Sequence, residues 1–92
     1  MFKKIVINGA YGGFVLPTEY AIAHGISVYA EDTDIRTDAD LIAIVEADTY
    51  NGDLIVVTLP DGYTDFEISE YDGLEDIIVV VNGKIVHPCN ED

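Results

Sequence analysis

Basic residues are scarce in this chain: four lysines and arginines stand against eighteen aspartates and glutamates, for a formal charge of −14 over 92 residues. Lys3, Lys4, Arg36 and Lys84 are too few and too scattered to release phosphate counterions, which argues against direct binding of nucleic acid or of an anionic membrane. The single cysteine, Cys89, excludes an internal disulfide. As a nucleophile it would need a base and a cationic setting, and Glu91 and Asp92 supply the opposite. Tryptophan is absent and the sequence offers no obvious second lobe. The carboxylate pairs Glu67/Glu70 and Glu75/Asp76 therefore lack the cleft in which glycosidases face two carboxyl groups across a sugar. No run approaches the roughly 20 apolar residues of a membrane span. The apolar start is broken by Asn8 too early for a signal peptide, so the expected location is the cytoplasm.

What is present is a hydrophobic fraction of 49%, ordinary for a globular chain and sufficient for one modest core. The expectation is one acidic α+β domain over residues 1–92. Lys4 to Asn8 reads as a strand stopped by Gly9. Pro17 and Thr18 open a short helix over Glu19 to His24, closed by Gly25, and Ile26 to Ala30 reads as a short strand. Thr37 is the expected N-cap of a helix from Asp38 to about Ala47, with Asp38 and Asp40 at the positive end of its dipole. Strands follow at Leu54 to Leu59 and Asp65 to Tyr71, where Phe66 and Ile68 alternate with Asp65, Glu67 and Ser69. Ile77 to Val81 and Lys84 to His87 flank Asn82-Gly83, a pair suited to the positive φ angles of a two-residue hairpin turn. Together these predict an antiparallel or mixed sheet of about five strands, with two short helices on one face and a C-terminal β-hairpin. The tail from Pro88 is expected to fray.

Candidate sites are few. The loop Gly9-Ala10-Tyr11-Gly12-Gly13-Phe14 follows a strand, yet matches neither G-x-G-x-x-G nor a P-loop. Gly12 and Gly13 suit a tight bend that packs Tyr11 and Phe14 on the core; the alternative makes the two aromatics anchors for a partner. Asp32-Thr33-Asp34 begins like a calcium loop, but Arg36, Thr37 and Ala43 occupy the third ligand, glycine and twelfth positions. His24 and His87 share no metal-ligand spacing, and His87-x-Cys89 offers only two ligands in a tail. No catalytic residue, cofactor or metal is expected. Ile77, Val79 and Val81 lie in an uncharged run that would need covering by a second copy if it formed a sheet edge.

The segment Ile5-Val-Ile-Asn-Gly-Ala-Tyr-Gly-Gly-Phe-Val-Leu16 resembles the opening of small proteins encoded by bacteriophages and prophages, which share an Ile-Asn-x-x-Tyr-Gly-Gly-Phe start. The resemblance continues through Asp34 to Glu46, Leu59-Pro60-Asp61-Gly62 and Phe66 to Gly73, in the same order. Those proteins often end in a basic aromatic tail, where this chain has the apolar hairpin Ile77 to His87. The resemblance implies phage origin and an accessory role, with no catalytic residues to carry over. Combined with the charge, it points to a non-enzymatic protein that binds a basic surface of a host nucleic-acid-binding protein, as inhibitors of CRISPR systems that mimic nucleic acid do. Asp32, Asp34, Asp65, Glu67 and Glu70 are the expected charge contacts, with Tyr11, Gly12, Gly13 and Phe14 as the anchoring loop. The alternatives are a small-molecule or nucleotide-binding oligomer closed by that loop, and a self-assembling component built on the hairpin.

Overall fold

A computed structural model describes residues 3–88; Cys89 and the tail beyond Pro88 lie outside the described residues. The elements run β1 (Lys4–Asn8), α1 (Thr18–His24), α2 (Thr33–Arg36), α3 (Ala39–Glu46), β2 (Leu54–Thr58), β3 (Tyr63–Tyr71), β4 (Leu74–Val81) and β5 (Lys84–Val86). The fold is α+β, but the strands form two antiparallel sheets, β1–β2 and β3–β4–β5, in place of the single five-stranded sheet expected.

The pair β1–β2 is the middle layer. Strand side chains alternate between faces, and β1 is apolar on both: Ile5 and Ile7 face the three-stranded sheet and Val6 faces the helices. On the first side they pack with Val57, Leu59, Tyr63, Ile77 and Val79. On the second, Val6 joins Phe14, Leu16, Tyr20, Leu41 and Leu54. Two small cores thus share one ribbon, and Ile5, Val6 and Ile7 are fully buried.

Local signals explain most of the elements. Gly25 takes φ 64° and closes α1, its N–H reaching back to the last carbonyls in the left-handed cap that glycine permits. The N-cap of α3 is Asp38, whose side chain accepts the Asp40 N–H, and not Thr37. The Thr37 hydroxyl instead donates to the Thr33 carbonyl at 2.7 Å, at the end of the unforeseen helix α2. No strand forms over residues 26–30: the Ile26 N–H closes the end of α1 on the Ala21 carbonyl, the Ala30 N–H turns back to Ser27, and the bond from the Leu16 N–H to the Val28 carbonyl starts no ladder. At the C-terminal hairpin Asn82 and Gly83 take φ 52° and 76°, the positive pair that a two-residue turn demands.

The split into two sheets has an identifiable cause. β1 bonds to β2 in register Ile5 to Val57 and Ile7 to Ile55, which leaves Val6 and Asn8 facing the other way. Among the described residues no strand pairs with that edge. Arg36 donates to the Val6 carbonyl at 3.2 Å, and the Glu75 carboxylate accepts the Asn8 N–H at 2.7 Å. An ion pair therefore stands where a neighbouring strand would, and satisfies two of the backbone groups that an open edge leaves unpaired.

Candidate protein-binding face

Two charged regions divide the molecule, and the first is closed. The Arg36 guanidinium meets Glu75 in a two-pronged pair at 2.8 and 2.8 Å, with side chains only 5% and 8% exposed. It also donates to the Glu31 carbonyl and stacks over the Phe14 ring, 4.1 Å from its centroid. Asn8, fully buried, donates to the Ala10 and Gly73 carbonyls at 2.7 and 2.6 Å. The Gly12 N–H reaches the Asp72 carbonyl at 3.1 Å. A β-carbon on Gly73, which has φ 90°, would run into the backbone of Gly12 and Gly13. The stretches Ile5 to Leu16, Asp34 to Glu46 and Phe66 to Gly73 thus meet in one buried network, where Gly73, Phe14 and Arg36 serve packing.

The second region is the outer face of β3–β4–β5. Phe66, Ile68, Val81 and Val86 turn inward against the core. Alternation then sends Asp65, Glu67, Ser69 and Tyr71 outward on β3, with Leu74, Asp76, Ile78 and Val80 on β4 and Ile85 on β5. The register agrees, setting Asp65 beside Val80, Glu67 beside Ile78 and Val80 beside Ile85. The helices pack against β1 and β2, and among the described residues their one link to this sheet is the inward Arg36–Glu75 pair, away from the outer face. Tyr71 and Ile85 are 71% and 66% exposed. The result is a stripe of half-buried Ile78 and Val80 with exposed Ile85, separated from Leu74 by Asp76 and carrying Asp65 and Glu67 along one margin. At the Tyr71 end lies a cleft of about 390 Å³ between the sheets, walled by Ile55, Tyr71 and Leu74.

The expected site residues are not brought together. Phe14 is buried under Arg36, and so is withdrawn as a surface contact. Tyr11 is 64% exposed and borders a groove with Gly12, Gly13, Pro17, Tyr50 and Asp53. Asp32 and Asp34 sit exposed at the start of α2. Glu70 falls on the opposite side of β3 from Asp65 and Glu67, accepts the Gly73 N–H at 3.0 Å, and lines a cavity with Glu31, Phe14 and Arg36. Ile77 and Val79 are fully buried in this chain's own core, on a central strand and not an edge. The pair therefore lies beyond the reach of a second copy in this fold, and Val81 packs behind them.

Sequence reasoning missed the partners of Asp65 and Glu67, namely Ile78, Val80 and Ile85. The signal was available: the hairpin register set by Asn82-Gly83 fixes which residues of β4 and β5 share a face. Among the described residues the ion pairs are Lys4–Glu46, Arg36–Glu75, His24 with Asp38 and Asp40, and His87–Asp76. Asp32, Asp34, Asp65, Glu67 and Glu70 take part in none of them. No helix of the described chain is long and apolar enough to cross a membrane. Comparisons with protein-family models, curated proteins and solved structures find no match.

Proposed function

We propose that this chain is a non-enzymatic accessory protein that binds a basic, nucleic-acid-binding surface of a host protein through the outer face of β3–β4–β5. The observation that carries this reading is the stripe of Ile78, Val80 and Ile85 beside the carboxylates of Asp65 and Glu67, which have no cationic partner among the described residues. Apolar area at the centre of an interface supplies most of the affinity, while charge at its margin steers encounter and selects the partner. Carboxylates spaced along a strand stand where a basic groove would otherwise meet phosphates. The resemblance of residues 5–75 to phage-encoded proteins supports a role in the host cytoplasm, as a counter-defence inhibitor of the CRISPR-directed kind.

The test is capture of host proteins from bacterial lysate by three forms of the chain. The wild type should retain a nucleic-acid-binding protein at low salt and release it at high salt. The Asp65→Asn/Glu67→Gln form should lose it, and the Asp32→Asn/Asp34→Asn form should keep most of it. Equal capture by all three would remove charge mimicry at this face.

The groove beside Tyr11, about 370 Å³ and lined by both polar and apolar groups, favours a second reading in which the loop holds a small molecule. A rise in melting temperature with one member of a nucleotide panel would support it, since a ligand that binds only the folded state stabilises that state.

A further inference from the structure

A cluster outside this face holds a different kind of chemistry. His24 stands in the last turn of α1, and Asp38 and Asp40 stand at the cap and first turn of α3. One ligand atom from each lies within 4.8 Å of the other two. The imidazole Nε2 is 3.5 Å from an Asp40 oxygen and 3.9 Å from an Asp38 oxygen. What separates this group from the other acids of the surface is the imidazole, brought to the two carboxylates from a different helix.

The surroundings hold two of the three ligands in place. The Tyr20 ring stacks on His24 with centroids 4.2 Å apart and an angle of 26° between the planes. The Tyr20 hydroxyl donates to the Asp38 oxygen that faces His24. Tyr20 is itself anchored in the helical core beside Leu41. A hydrogen bond from an outer residue to a ligating carboxylate is the usual way in which a metal site fixes its ligands. Beside the cluster an open cleft of about 320 Å³, lined by Glu19, Ala23, Ala43 and Ile44, leaves room for water.

We propose that His24, Asp38 and Asp40 bind a divalent first-row transition ion, with Zn²⁺ as the probe ion, and that water completes the coordination. Bonds of about 2.0–2.2 Å from one tetrahedral ion to nitrogen and oxygen put neighbouring ligand atoms roughly 3.3–3.6 Å apart. The His24–Asp40 pair already stands near that spacing, and the exposed Asp40 side chain is free to adjust to the other two ligands. One imidazole and two carboxylates select such an ion over Mg²⁺ and Ca²⁺, which prefer oxygen alone. Asp38 binds while still capping α3, because the other oxygen of its carboxylate accepts the Asp40 N–H.

The experiment is calorimetric titration with ZnCl₂ in a His87→Ala/Cys89→Ser background, which removes the two-ligand tail as a competing site. The expected result is one saturable Zn²⁺ per chain that equimolar Mg²⁺ does not displace. In the same background, His24→Ala and Asp40→Asn should each weaken binding more than tenfold, and Tyr20→Phe about tenfold through loss of the outer hydrogen bond. Far-UV circular dichroism checks that His24→Ala folds, and Asp40→Asn, at an exposed position, is the control that leaves packing untouched. Zn²⁺ affinity indifferent to His24 and Asp40, displacement by Mg²⁺, or no saturable binding would each overturn the proposal. None of these outcomes bears on the protein-binding face, whose residues are left intact.

Discussion

Glu67 and Glu75 stand on adjacent strands of one sheet and have opposite fates. Glu75 turns inward, 8% exposed, and accepts three hydrogen bonds, two from Arg36 and one from the Asn8 N–H. Glu67 turns outward beside Ile78 and meets no cation among the described residues. Strand parity decides which carboxylate serves the fold and which stays open to a partner. With four basic residues in the whole chain, burying one of them on Glu75 leaves most of the negative charge without internal compensation. Charge that folding does not use is then the part to examine for binding.

The sharpest way to break the comparison is to remove the inward pair. Glu75→Gln or Arg36→Met leaves a buried charge without its partner, which costs about 3–5 kcal/mol, much of the total stability of a chain this size. Equilibrium denaturation in urea reads the loss. The double change Arg36→Met/Glu75→Leu is more telling. An ordinary buried ion pair replaced by apolar side chains is often neutral. Here the Val6 carbonyl and Asn8 N–H would lose their partners too, at roughly 1–3 kcal/mol each, so the double variant should stay well below the wild type. Recovery of wild-type stability would show that the edge of β1 needs no cap.

Next in size is Gly73→Ala. Gly73 combines positive φ with close approach to the Gly12–Gly13 backbone, and a side chain there costs about 2–3 kcal/mol in backbone strain and displaced packing. Gly83, also at positive φ but in open space, should cost less, near the low end of that range. Thermal unfolding of the two variants side by side separates the turn that packs from the turn that only bends.

Tyr20→Phe is smaller and carries a pH signature. It removes one hydrogen bond to the Asp38 carboxylate, worth about 1.5 kcal/mol. Burial, then the bond to Asp38 and the charges of Asp38 and Asp40, raise the Tyr20 phenol well above its ordinary value of 10.0. Below pH 10 the phenol is protonated in both states and its stabilisation is fully present. Above that, the unfolded phenol ionises while the folded one keeps its proton, so the unfolded state binds fewer protons and stability falls as pH rises. The advantage of wild type over Tyr20→Phe should therefore be constant at neutral pH and shrink above pH 10. An advantage that grows in alkali would contradict the assigned environment.

Parts of this organisation are legible in the residues, and the reasons are local. Asn82-Gly83 dictates its own turn, and the acidic cap before Leu41 tips an ambiguous apolar run into α3. The division into two sheets is not legible, because it depends on Arg36 meeting Glu75 across 39 residues, and no short-range pattern encodes that meeting. For Phe14 the residues alone leave core packing and an interface role open, and Arg36 placed on its ring decides for packing. The acid-margined face lies between these cases. Asp65 and Glu67 announce an exposed side of β3, but only the pairing of β4 with β5 sets Ile78, Val80 and Ile85 beside them.

The last comparison concerns the outward acids, where the expected effect on folding is smallest and on binding largest. Asp65→Asn/Glu67→Gln keeps the size of both side chains, and an asparagine oxygen can still accept the Phe66 N–H that Asp65 Oδ1 now takes at 2.8 Å. Both side chains are exposed and neither joins an ion pair among the described residues, so the unfolding midpoint should not move. Relief of like-charge repulsion in so acidic a chain acts, if anything, to stabilise it. Binding should respond differently. Loss of two steering charges lowers the association rate and flattens its dependence on ionic strength, while the apolar stripe continues to set dissociation. Ile85→Ser should do the reverse, raising the dissociation rate with association little changed. Stopped-flow or surface-based kinetics on the captured partner at two salt concentrations separates the two, and variants that shift the same rate constant would overturn this division between charge and stripe.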